Sequence, residues 1–153
     1  RLLASADDND EDNDDEDAMI DKQTIITEAR KWLGTPYHHQ GRKLGIGVDC
    51  IGIPAGIGRA FGIPFDDRND YGREPDGSLA DALGRYMAPI PASEAGPGDV
   101  LVFQLPGQTH PGHCGVVTDI GLLHAWQSAG KVVEHGMTKS WMSRVRGGFR
   151  FAG

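Results

Sequence analysis

The spacing of apolar residues changes period once along the chain. In "DKQTIITEARKWLG", residues 21–34, apolar side chains recur every three or four positions, so Ile25, Ile26, Ala29, Trp32 and Leu33 share one helical face. Asp21 suits the N-cap, and Gly34 with Pro36 ends the run. After a Gly-rich polar loop, "TPYHHQGRKLGIGVD", Asp49 offers the cap of a second helix reaching about Phe61. Gly52, Pro54, Gly56 and Gly58 make that helix intrinsically poor, so packing must hold it and Pro54 must fall in or near its first turn. Residues 62–77 read as an irregular connection. Ser78 then caps a short amphipathic helix whose apolar face is Leu79, Leu83, Tyr86 and Met87.

Beyond the turn-rich "PIPASEAGPGD" the period becomes two. "DVLVFQ", "HCGVVTD", "LLHAWQ", "KVVEH" and "GFRF" read as short strands, with "TKSWMSRV" as a helical turn before the last. Helices first and strands afterwards predict an α+β domain, its N-terminal helices packed on a central antiparallel sheet.

A chain of 153 residues is one domain's worth and buries roughly 70% of its unfolded surface without staples. The net charge of −7 belongs to the leader: "DDNDEDNDDED" carries nine acids, so residues 1–18 hold −8 and the remainder +1. Such a block reads as a disordered arm. With Arg1 first and Met19 placed as a natural start, it reads as an added or processed leader before a single domain over 19–153. "ASA" at 4–6 resembles a signal-peptidase site, although no apolar segment precedes it. The near-neutral body favours no nucleic-acid partner, and no apolar run approaches the ~18 residues of a membrane span.

Two cysteines, Cys50 and Cys114, cannot build a disulfide framework; one bridge is compatible with the spacing, but a chain of this size does not need it. Cys50 falls where loop gives way to helix, and there the macrodipole and unpaired N–H groups favour a thiolate. A buried structural cysteine suits the same context. A cysteine nucleophile needs a base and usually a group that orients the base. His113 and His124 lie on consecutive strands, and their odd index sum places them on the same face of a hairpin with a two- or four-residue turn; a three-residue turn would separate them. Two half-buried sheet histidines fit the pattern as well. Cys114 points away from His113 and is expected to be buried and inert. His38, His39, His110 and Cys114 match no spacing of a structural zinc site, and "GRKLGIG" lacks the phosphate-loop pattern.

In order, "WLGTPYHHQG", "GVDCIG", "PGDVLVF", "HCGVV" and "LLHAW" resemble the NlpC family of papain-like cysteine peptidases that cut bacterial cell-wall peptides. The resemblance runs from about residue 24 to 151. "PYHHQG", "LLHAW" and "GGFRF" resemble the phage-associated branch, found in tail modules.

The resemblance implies that Cys50 is the nucleophile, His113 the general base and later acid, His124 the residue orienting His113, and Tyr37 an oxyanion donor beside the Cys50 N–H. Gln127 is the fallback for the third position. Asp49 matches the acid before the family's cysteine, read here as a cap, while Ile51 replaces its common serine. The implied reaction is hydrolysis of an amide in peptidoglycan stem peptides, at the D-glutamyl to diamino-acid bond, with no cofactor or metal. The implied place of action is the bacterial cell wall, reached by export or on a particle such as a phage tail. The same dyad would serve a muramoyl-peptide amidase or an acyltransferase, and a vestigial site would leave a tail-assembly or wall-binding module.

Overall fold

The computed structural model describes residues 20–65 and 71–152. The acidic leader over 1–18 lies outside the described residues, as does part of the 62–77 connection. The first helix, α1 (Lys22–Arg30), is capped as the sequence predicts: the Asp21 carboxylate accepts from the Thr24 N–H at 3.1 Å. It closes earlier than its apolar stripe, and a turn carries the chain through Gly34, whose φ is +82°. Ile25, Ile26, Ala29 and Trp32 are buried, whereas Leu33 is exposed because the helix has ended before its position.

The polar loop contains a small hairpin, β1 (Arg42–Lys43) and β2 (Gly47–Val48). Next comes α2 (Gly52–Ala60), in which Pro54 occupies the first turn, where its missing N–H costs no helical bond. Helix α3 (Ser78–Tyr86) buries Leu83 as expected, but Ser78 is not its cap. Gly77 holds that position at φ +91°, and the Asp76 carboxylate accepts from the Ser78 N–H at 3.0 Å.

The strands are β3 (Ala88–Ile90), β4 (Val100–Phe103), β5 (His113–Val117), β6 (Leu122–Trp126), β7 (Lys131–His135) and β8 (Val145–Arg150). They form one sheet in the order β3-β8-β4-β5-β6-β7, with every pair antiparallel. Of this sheet's strands the sequence pattern misses β3, whose Pro89 suits the sheet edge it occupies. The short helix α4 (Lys139–Met142), capped by Thr138, fills the "TKSWMSRV" segment.

The sheet divides the core in two. Val100, Val102, Cys114, Val116, Leu123, Ala125 and Val132 face α1 and α2, packing with Ile25, Trp32, Ile53 and Ile57. Leu101, Phe103 and Leu122 face the other way, beneath Trp141 of α4. Alternation along β5 therefore sends Cys114 to the helices and its neighbour His113 to the tryptophan side. No helix among the described residues is long and apolar enough to cross a membrane.

Candidate active site

Cys50 sits in a turn two residues before α2, outside the helical first turn expected from the sequence. Asp49 shapes that turn. Its Oδ1 accepts from the Gly52 N–H at 3.1 Å, and its Oδ2 from the Gln40 N–H at 2.9 Å. Arg42 Nη1 pairs with Oδ1 at 2.8 Å, and the Tyr71 hydroxyl donates to Oδ2. Four donors saturate a carboxylate that is 3% exposed, so Asp49 is a structural anion that fixes the cysteine turn. Asp49 is not the N-cap expected from the sequence, since Ile51 holds that position, but its carboxylate still accepts from the first helical N–H, and the sequence did not reveal the Arg42–Tyr71 partnership around it.

Cys50 is half-buried and Cys114 fully buried; both are free thiols. The Cys50 sulfur lies 3.9 Å from the Gly112 carbonyl, at the entrance to β5. The Cys114 sulfhydryl donates to the Cys50 carbonyl at 3.3 Å. Hydrogen bonding from Cys114 lowers the Cys50 pKa to about 5, helped by the hydrogen bond and charge of His113 and opposed by burial. Cys114 is pushed the other way, first by that hydrogen bond and then by burial, and remains a protonated donor. It is buried as expected, and its sulfhydryl also ties the Cys50 backbone to β5.

His113 and His124 meet as the parity argument requires. The pairs Val116–Leu123 and Val117–Leu122 leave a four-residue turn, so the two histidines share a face as diagonal neighbours. His113 Nε2 and His124 Nδ1 are 2.7 Å apart. Gly115 permits this approach: a Cβ there would lie 3.1 Å from His124 Cβ and 2.6 Å from Leu122 Cδ1. His124 is fully buried, and that burial, followed by the charges of His113 and His135, drives its pKa down to about 2. Gln127 lies on an exposed 3₁₀ turn after β6, away from this contact.

A third histidine extends the chain. His124 Nε2 is 2.8 Å from His135 Nε2, and His135 Nδ1 is 2.9 Å from the Gly136 carbonyl. The rings of His113, His124 and His135 all pack against Trp141, at 5.7, 5.0 and 6.0 Å between centroids. His135 was legible by the parity rule already applied to His113: four residues separate β6 from β7, and 124 with 135 again gives an odd sum.

Tyr37 and Cys50 line the same open cleft of about 880 Å³. Its walls include Ile51, Phe65, Leu79 and Pro111, and Arg73, Glu74, Asp76 and Arg85 stand along it. Burial, then the charges of Cys50 and Asp49, raises the Tyr37 pKa to about 12, which keeps the phenol an O–H donor. The cleft thus presents Cys50, whose pKa is lowered, and a neutral phenol donor, while the His113–His124 pair acts on Cys50 from the β5 side.

This architecture matches solved structures over most of the chain. The NlpC/p60 domain of the peptidoglycan hydrolase SagA superimposes with a TM-score of 0.58 at 23% identity, over 86% of this chain and all of that one. The chain has the NlpC/p60 fold. An NlpC/P60 family protein from Bacillus cereus gives a TM-score of 0.67 at 18% identity, over 90% of this chain and 42% of its own. The resuscitation promoting factor interacting protein RipA gives 0.60 at 19%, over 86% of this chain and 62% of its own. No family model matches the sequence, and no curated protein matches it. Within the NlpC/p60 fold, two glycines of α2 allow close packing. A Cβ at Gly56 would fall 2.4 Å from Trp32 of α1 and one at Gly52 2.5 Å from Val48 of β2, so these glycines seat α2 against its helical and hairpin neighbours.

Proposed function

We propose that this protein is a cysteine endopeptidase that hydrolyses an amide bond in peptidoglycan stem peptides, between the D-glutamyl residue and the diamino acid. The carrying observation is Cys50 on the wall of the cleft, its pKa lowered to about 5 with the help of His113, together with the pairing of His113 with His124 at 2.7 Å. The shared fold with SagA, described as a peptidoglycan hydrolase, supports the substrate class.

In this mechanism the Cys50 thiolate attacks the amide carbon, and the oxyanion takes hydrogen bonds from the Tyr37 hydroxyl and the Cys50 N–H. Collapse breaks the C–N bond. The departing amine takes the proton from His113 Nδ1, leaving a thioester on Cys50. Water then attacks the thioester while giving a proton to His113. Release of the carboxylic acid restores the thiolate and the imidazolium. Throughout, His124 accepts from His113 Nε2–H and holds the ring in register. No step calls for a cofactor.

Purified cell wall and defined muropeptides, analysed by mass spectrometry, test the reading. Wild type is expected to release fragments with new D-glutamyl carboxylates and free diamino-acid amines. Cys50→Ala and His113→Ala should each lower the rate by about 10⁴-fold or more with the circular dichroism unchanged. Retained turnover in either variant sinks the proposal. Cleavage between sugar and peptide would instead assign an amidase, and transfer of the acyl group to an added amine an acyltransferase. Association with a phage tail rests on sequence details alone, and neither cleft nor relay bears on it.

A further inference from the structure

We propose that His135 is a positioning residue that sets the direction of hydrogen bonding along the His113–His124–His135 relay and so keeps the proton-accepting nitrogen of His113 turned to Cys50. The inference rests on Cys50 and His113 being the reacting pair. It begins at the Gly136 carbonyl, 2.9 Å from His135 Nδ1. A carbonyl only accepts, so His135 Nδ1 carries the proton, and in a neutral imidazole Nε2 is then an acceptor. His124 Nε2, 2.8 Å away, must donate to it. Buried His124 stays neutral, which leaves its Nδ1 as an acceptor facing His113 Nε2 at 2.7 Å. Neutral His113, the form that follows departure of the amine, therefore holds its proton on Nε2 and turns the Nδ1 lone pair toward Cys50.

The opposite direction would set a lone pair of His135 against the Gly136 oxygen, which is repulsive. Without an acceptor at position 135, the buried Nε2–H of His124 loses its partner, and the tautomer protonated on Nδ1 becomes the cheaper one. His113 would then accept at Nε2 and carry its own proton on Nδ1, toward Cys50, the wrong form for a base. Trp141 keeps the geometry: its ring packs edge-on to His124 at 83° and tilted to His135 at 38°. His135 does not line the cleft, so its effect should fall on kcat and not on substrate binding.

Long-range ¹⁵N correlation spectra of the full chain carrying Cys50→Ala, which prevents the thiolate–imidazolium pair, are expected to show His113 and His124 protonated on Nε2. An Nδ1-protonated His124 overturns the proposal without any substrate. In the otherwise native chain, His135→Leu should lower kcat by about 10–100-fold with KM within about twofold, and His135→Gln, whose Oε1 can accept from His124, should recover kcat to within about threefold of wild type. Unchanged kcat in His135→Leu, or equal losses in both variants, overturns it as well. Should the wild type release no peptide fragments, the peptidase reading falls, and the tautomer spectra still decide the relay.

Discussion

The Cys114 sulfhydryl donates to the Cys50 carbonyl across 3.3 Å, so residue 114 meets the cysteine turn from the helical side of β5 while residue 113 serves it from the other. One strand end thus reaches the Cys50 turn with two adjacent side chains, because neighbouring side chains on a strand point to opposite faces. Cys114→Ala removes the leading cause of the lowered Cys50 pKa. The midpoint of Cys50 alkylation by iodoacetamide should rise from about 5 by about one unit, since losing a partner of the anion favours the thiol. An unchanged midpoint would show that His113 suffices.

His124 couples the site to folding. Its folded pKa of about 2 lies below the unfolded value of about 6.5, so between these limits the unfolded chain binds the extra proton. The resulting stability is fully present above pH 6.5 and falls as the pH drops toward 2. Urea denaturation should show wild type losing about 2 kcal/mol more than His124→Gln between pH 7 and pH 5. Parallel pH profiles for the two proteins would contradict this assignment.

Asp49 carries the turn on which Cys50 stands. Asp49→Ala leaves Arg42, whose side chain is 16% exposed, without its carboxylate and strips acceptors from the Gly52 and Gln40 N–H groups. A loss of about 3–5 kcal/mol in denaturant unfolding is expected, as for breaking a buried ion pair. A loss below 1 kcal/mol would mean that Arg42 and the turn find other partners readily.

Gly115 sets the spacing between the strands that carry the first two histidines. Gly115→Ala places a methyl 2.6 Å from Leu122 Cδ1 and 3.1 Å from His124 Cβ. Overpacking of this kind should cost about 1–3 kcal/mol. Displacement of His124 should also lower kcat more than KM changes, which steady-state assays on a defined muropeptide can separate.

Arg30 offers a control outside the cleft. It bridges α1 to Glu134 of β7 at 2.8 Å and to Asp119 at 2.6 Å. The Asp119 arm is largely exposed, so Asp119→Ala should change stability by no more than about 1 kcal/mol and leave turnover unaffected.

Local chemistry made much of this protein legible. Asp21 and the stripe from Ile25 to Trp32 specify α1, the alternating runs specify the five principal strands, and strand parity alone sets His113 and His124 on one face. These depend on periods of 3.6 and 2, which the chain carries in itself. The limits are equally specific. β3 is short and proline-bearing, the two-residue hairpin is below any period, and Leu33 continues a helical pattern past the end of its helix. That Cys50 meets both Cys114 and His113, that Arg42 and Tyr71 close around Asp49, and that Trp141 gathers three histidine rings follow from the seating of α2 and α4 on opposite faces of the sheet. No sequence period encodes the distance between elements far apart in the chain. Side-chain packing fixes it, so the residues of the site were readable one by one, and their assembly was decided only by the tertiary fold.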